Sequence, residues 1–326
     1  VLVRSEDAVM RGEEGVDLLL GCVTDRKCVE RAAEGVKGIF HLVGIVEHSR
    51  ASAAHVRRIN VDGTVNVVQA AAKWGCKVVF ASTSGTVAVS SSGDVRGDSH
   101  GYAEELVQGW PYYDSKILAE KQAKATAEQL GVALVILRPT SILGPGEESL
   151  PTSKSLEYYR EKSVYKHVSR AVPYVPRGGL SIVDVRDVTT AFLSAMDLSE
   201  ADGKAFCLAA TDSNMTLEVF FQRLERLSGV PATTTRIPYA VAWGYISARN
   251  MAASLAGRKY HIDPVVVEMA NNFWYVDSSL AQSVLGFNPR PCDQTLRDSL
   301  AYIAAKGHTM GLPRGVPKMD LGRARL

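Results

Sequence analysis

Three short apolar runs, 36–42, 77–81 and 133–138, alternate with stretches of helical period at 55–74 and 112–130. This alternation limits the fold more than any other feature of the chain. Successive strands that line up in one direction need a crossover long enough to return the chain, and a helix is the usual one. Two further short strands at 1–4 and 17–20, with a helix over 25–34, extend the same rhythm toward the start. Gly75 and Gly131 stand just past two of the helical patterns, where a left-handed closing residue is expected. The prediction is an α/β fold: a doubly wound, Rossmann-like parallel sheet with helices on both faces.

After Gly144-Pro-Gly146 the rhythm changes. The stretch 147–180 is irregular and rich in cations, among them Lys154, Arg160, Lys162, Lys166, Arg170 and Arg177. A solvated flap over a substrate cleft suits it better than an anion site. Ser181 to Met196 predicts a short strand feeding a helix. Further helices are expected over 216–228, 237–257, 262–271 and 295–306. The domain division is therefore 1–145 for a dinucleotide-binding domain, with strands from about 181–210 returning to it. A smaller mixed C-terminal substrate domain covers 146–305, and 306–326 forms a disordered tail.

Composition excludes some partners. The formal charge is +2, but residues from Lys306 onward hold five Lys/Arg against one Asp. The basic excess is a property of the tail, so a nucleic-acid surface is not expected. The five cysteines are scattered and form no CxxC pair, which fits buried, reduced thiols and a cytoplasmic location. The most apolar stretch, 237–257, is interrupted by Pro238, Arg249 and Asn250, so a helix of the second domain is expected there and membrane contact is not.

Within this frame, Tyr112 and Lys116 stand four apart at the start of a predicted helix, on one face and a turn from each other. An ammonium there favours the phenolate, and a phenol of lowered pKa can give or take a proton near neutral pH. Tyr158 and Lys162 have the same spacing but follow the last strand of the alternating region. Tyr112 instead lies between strands 77–81 and 133–138, in a unit whose sites fall at the carboxyl ends of the strands.

Several stretches together resemble the extended short-chain dehydrogenase/reductase family, within the NAD-dependent epimerase/dehydratase superfamily. They are Phe40-His-Leu-Val-Gly44, Asn60-Val-Asp-Gly-Thr64, Ser82-Thr-Ser-Gly-Thr-Val87, the Tyr112–Lys116 pair and Arg138-Pro-Thr-Ser-Ile-Leu-Gly-Pro-Gly146. Ser181-Ile-Val-Asp-Val-Arg-Asp187 and Leu285-Gly-Phe-Asn-Pro-Arg290 carry the likeness across nearly the whole chain. The branch is similar to the dihydroflavonol reductases and 3-beta-hydroxysteroid dehydrogenases.

The resemblance implies Tyr112 as acid/base, Lys116 as its electrostatic partner and ribose ligand, and Ser84 as the residue that holds the substrate oxygen. Ser82 and Thr83 are the alternatives, expected to contact cofactor or to close the strand. Leu42, Val43 and Gly44 match a strand end passing under the cofactor, and Pro139 and Thr140 match the end that meets the carboxamide. Asn60 matches a residue near the nicotinamide, although an Asn before a helical pattern is also a preferred N-cap. His41 is expected to be structural, and Asp184 and Asp187 to be structural anchors between the domains. No metal is implied.

The chain departs from the family pattern in two places. The glycine-rich loop that normally holds the pyrophosphate is not among these residues, and it is expected upstream of Val1 in a further strand–helix unit of about 30 residues. A space of roughly 9–10 Å is then expected between strand 1–4 and strand 36–42, and weak cofactor binding by residues 1–326. At the end of strand 1–4, Arg4 and Ser5 stand where a basic residue accommodates a 2′-phosphate, which favours NADP, with NAD as the alternative. Cys22 occupies the position of an expected adenine-binding Asp, leaving recognition to backbone near Val23.

Two enzymatic readings follow from the resemblance. One is an NAD(P)-dependent oxidoreductase acting on a ketone, aldehyde or secondary alcohol. The other is a sugar-nucleotide epimerase or dehydratase with tightly held NAD. A non-enzymatic dinucleotide sensor is a third, which the intact Ser84, Tyr112 and Lys116 set argues against. The expected partner is a small-molecule substrate. Relatives often form homodimers through helices on a sheet face, so 55–74 and 112–130 are the candidate faces for a second copy.

Overall fold

The computed structural model describes residues 1–4, 14–146, 174–256 and 263–305. Strands β1 (Leu2–Val3) and β2 (Leu19–Leu20) pair in parallel, followed by helix α1 (Arg26–Ala32). Asp25 caps α1, its carboxylate accepting from the backbone N–H of Lys27 and Cys28. Then come β3 (Gly38–His41), α2 (Ala53–Arg57), α3 (Gly63–Trp74), β4 (Lys77–Ala81), α4 (Glu104–Val107), α5 (Pro111–Leu130) and β5 (Leu134–Pro139). Gly75 at φ 69° and Gly131 at φ 67° close α3 and α5 in the left-handed region, as expected from sequence.

The α/β expectation is met. β3, β4 and β5 are parallel neighbours in a four-stranded sheet, with β6 (Ser141–Leu143), β7 (Gly179–Leu180) and β8 (Ile182–Asp184) following in the chain before the fourth strand, β9 (Ala205–Leu208). Central β4 buries Val78, Val79 and Phe80 almost completely, the all-apolar pattern of a strand covered on both faces. The pair β1–β2 forms a sheet of its own, and no ladder joins it to β3 among the described residues.

One expected element differs in kind. The helical pattern written as 55–74 begins at Ala53 and contains a π-helical turn at Arg58–Asp62 between α2 and α3. Such a turn adds a residue to the helical repeat and re-aims the side chains it carries. Asn60 sits inside it, so the N-cap alternative is excluded.

The chain divides into two compact, discontinuous units. The first comprises Val1–Thr86, Tyr102–Arg138 and Ala191–Phe206. Its core gathers Val67, Val68, Val78, Phe80, Ala119, Ala123 and Ile136. The second comprises Val87–Gly101, Pro139–Thr190 and Cys207–Leu326. Residues 87–101 and 139–145 therefore belong to the second unit, whereas the sequence division placed them in the first. The physical reason for 87–101 is backbone pairing: Ser90 exchanges hydrogen bonds with Phe273, and Arg96 N–H donates to Tyr275 O.

Helix α6 (Val185–Asp197) follows β8, and β10 (Met215–Thr216) pairs with β7. The chain continues through α7 (Leu217–Ser228), α8 (Tyr239–Leu255), α9 (Val265–Ala270), α10 (Ser279–Leu285) and α11 (Cys292–Ala305). The last helix starts a turn earlier than its sequence pattern. No helix among the described residues is long and apolar enough to cross a membrane. The cation-rich stretch up to residue 173, including Tyr158 and Lys162, lies outside the described residues, as do Ser5 and the tail from Lys306.

Candidate functional site

The first unit brings Gly44, Asn60, Ser84, Tyr112 and Lys116 to the carboxyl ends of β3 and β4. Tyr112 is the second residue of α5 and half-buried; Pro111 opens the helix, where its missing N–H costs nothing. Lys116, one turn on, is 4% exposed, and its Nζ donates to Ala81 O at 2.8 Å. The ammonium also lies 4.8 Å from the Phe80 ring centroid. Burial lowers its pKa to about 8, and the Glu120 carboxylate opposes that shift.

Gly44 lies against this group. A Cβ added there would meet Lys116 Nζ at 3.3 Å and Asn60 Oδ1 at 3.5 Å. Leu42, 64% exposed, and Val43 precede it as an open apolar ledge at the end of β3. An exposed ledge, a glycine and a buried cation fit the nicotinamide and ribose end of a dinucleotide.

The π-turn makes Asn60 a strut. Its Oδ1 accepts from Ile45 N–H at 2.8 Å, and its Nδ2 donates to Ile45 O at 3.1 Å and to Ser115 Oγ at 2.9 Å. Ser115 in turn donates to the carbonyl of Tyr112 at 2.6 Å. The asparagine thus ties the strand-end loop to the first turn of α5. His41 is structural, as expected. Thr64 gives its proton to Asn60 O, so Nε2 of His41 donates to Thr64 Oγ1 at 2.9 Å. Burial, helped by the Lys116 charge, lowers the pKa of His41 to about 3 and keeps it neutral.

Ser84 is buried in a 3₁₀ turn, Ser84–Thr86. Ser82, expected to contact cofactor or to close the strand, donates its hydroxyl to Glu120 Oε1 at 2.5 Å. Val23 is buried and its carbonyl accepts from Asn66 Nδ2 at 3.0 Å. Arg4 is exposed at the end of β1, and it and Arg58 lower the pKa of the Cys22 thiol together with the hydrogen bonds of Thr24, the larger cause. Pro139 and Thr140 belong to the second unit, where Thr140 Oγ1 donates to Ser181 O at 2.6 Å. Asp184 accepts from Arg186, which also binds Asp298, and Asp187 accepts from Arg290; these partners all lie in that same unit, so the two carboxylates brace it internally, where anchors between domains were expected.

His48, which with His41 invites a metal or base reading from sequence, is buried beside both tyrosines, with ring centroids 5.8 Å from Tyr112 and 5.9 Å from Tyr113. Sequence reasoning missed Glu120 and its partner. Glu120, four residues past Lys116, pairs with Arg138 in the interior. The spacing of Glu120 was a usable signal, since it repeats the Tyr112–Lys116 interval on the same face.

The model of the NAD dependent epimerase/dehydratase family matches residues 2–209 of this chain. The chain belongs to that family. Within it, the chain is 25% identical over 298 residues to a putative dihydroflavonol 4-reductase of Synechocystis, covering 90% of this chain and 83% of the relative. Among solved structures, the crystal structure of gox2253 is similar with a TM-score of 0.76 at 22% identity, covering 94% and 91% of the two chains. The UDP-glucose 4-epimerase of Thermus thermophilus in complex with NAD is similar with a TM-score of 0.66 at 15% identity, covering 91% and 88%. These structural likenesses confirm the Rossmann-like fold expected of an extended short-chain dehydrogenase/reductase.

Proposed function

We propose that this family member is an NAD(P)-dependent reductase or dehydrogenase acting on a ketone, aldehyde or secondary alcohol. The observation that carries the reading is the buried ammonium of Lys116, one turn from Tyr112 and against Gly44. Residues 42–44 would hold the nicotinamide, which when bound would supply hydride for carbonyl reduction and take it up in the reverse direction. The chain handles the proton. Tyr112 donates its phenolic proton to the carbonyl oxygen as the alcohol forms, and Lys116 stabilises the phenolate left behind. In the oxidative direction the phenolate takes the hydroxyl proton. Ser84 orients the substrate oxygen toward Tyr112, and Lys116 also binds the ribose.

NADP is the favoured cofactor, because Arg4 stands exposed at the end of β1, where a basic residue accommodates a 2′-phosphate. A 2′-phosphate held there would gain charge-assisted hydrogen bonds from its guanidinium. The reductase name of the Synechocystis relative supports net reduction. The substrate is a small molecule.

The test is net NADPH consumption against a panel of carbonyl compounds, with NADH in parallel. We expect net oxidation of NADPH, and a loss of about 10²-fold or more in kcat for Tyr112→Phe. An epimerase or dehydratase would turn over a sugar nucleotide with no net change in cofactor, and that outcome would replace this reading. Unchanged turnover in Tyr112→Phe would remove the tyrosine from the chemistry.

A further inference from the structure

The interior of the first unit holds an ion pair that the reaction as proposed does not use. Glu120 lies on α5 one turn beyond Lys116 and is fully buried, and Arg138 at the end of β5 is nearly so. Arg138 reaches Glu120 with Nε at 3.1 Å from Oε1 and with Nη2 at 2.5 Å from Oε2. Two hydroxyls converge on the same oxygen, Ser82 Oγ at 2.5 Å and Thr86 Oγ1 at 3.0 Å, the latter sharing its one proton with Thr83 O at 2.9 Å. Ser82 follows β4, and Thr86 ends the short turn that contains Ser84. One carboxylate oxygen therefore holds both ends of the segment carrying Ser84.

Burying a carboxylate and a guanidinium is costly, and apolar residues of similar volume would commonly serve stability as well. A purely structural pair has no need to lie one turn from Lys116. Among the described residues, the titratable and charged groups facing Lys116 are few. Tyr112 and Glu120 come from its own helix, and His41 from β3 is held neutral. Arg138 from β5 is engaged with Glu120. The residues of β4 that meet Lys116, Phe80 and Ala81, carry no charge, and Arg58 and Asp62 of the π-turn are exposed. Glu120 is the anionic group that opposes the cost of burying Lys116.

We propose that Glu120 is a positioning residue of this site. Its carboxylate fixes the Ser82–Thr86 segment that presents Ser84 and keeps Lys116 cationic beside Tyr112, while Arg138 pairs with that carboxylate. The inference rests on the reading of Lys116 given above. Its primary test needs neither cofactor nor substrate.

The experiment titrates the Lys116 side chain by NMR in the protein alone, with lysine labelled at Cε, and assigns the signal by its loss in Lys116→Met. In Glu120→Gln, which keeps the shape and removes the charge, Lys116 should deprotonate at lower pH than in wild type, by about one unit or more. Loosening of the fold would act in the opposite sense, because exposure returns a lysine toward its ordinary, higher value. Should Glu120→Gln fail to fold, the double variant Glu120→Met/Arg138→Met replaces the pair by apolar volume, and Lys116 should again titrate below wild type, by less. A titration equal to or above wild type in the folded variant would overturn the proposal. With an active substrate in hand, Glu120→Gln should lower kcat more than it raises KM, and its alkaline limb should move to lower pH. A shifted Lys116 titration with no turnover by wild type on any carbonyl would uphold the positioning of Lys116 and defeat only the reductase reading.

Discussion

Burying an ammonium removes solvation that few contacts restore, and Lys116 shows the consequence. Its folded pKa, about 8, lies below its ordinary value of 10.5. The unfolded chain therefore binds the proton more tightly, and between those two values stability rises with pH. Below pH 8 the cost is present in full; above 10.5 it is gone. By the usual conversion this amounts to roughly 3 kcal/mol. Lys116→Met should accordingly be more stable relative to wild type at pH 7 than at pH 10, and comparing urea midpoints at the two pH values checks it. A difference that grows with pH would mean the ammonium is better compensated than its two nearest contacts, Ala81 O and the Phe80 ring, imply.

At the level of elements, the π-turn at Arg58–Asp62 decides where Asn60 points. An uninterrupted α-helix from 53 to 74 would rotate that side chain off the line joining Ile45 to Ser115. The turn persists because Asn60 satisfies both backbone groups of Ile45 and one hydroxyl that leads to Tyr112. Asn60→Ala strands these buried partners, so a loss of roughly 2–4 kcal/mol is expected in equilibrium denaturation. A loss below about 0.5 kcal/mol would show that water replaces the amide without cost. The sequence announced a helix here through its apolar period, and it offered Asn60 as either a cap or a site residue. The cap reading failed because the helix had already begun at Ala53.

On the scale of the whole chain, the five cysteines provide a map of burial. All are free; Cys76, Cys207 and Cys292 are buried, and Cys22 and Cys28 are partly exposed. Thr24 lowers the pKa of Cys22, whereas a hydrogen bond to Asp25 raises that of Cys28. Thiolate is the reactive form, so a thiol reagent at pH 7.5 should modify Cys22 first, Cys28 more slowly and the other three only on unfolding. Peptide mapping by mass spectrometry reads the order, and early labelling of Cys76 or Cys292 would contradict the packing of the unit that holds it. By itself the sequence determined what depends on local period and local chemistry. The alternating strands and helices, the glycine closures at 75 and 131 and the one-turn spacing of Tyr112 and Lys116 are set by residues within a few positions of each other. The tertiary structure alone decided which distant groups meet. Glu120 finds Arg138 eighteen residues on and Ser82 thirty-eight residues back only because α5 packs against β4 and β5 in one register. Residues 87–101 leave the first unit because their backbone finds partners near 273. A buried charge must be matched wherever the fold places it, and no local pattern states where that will be.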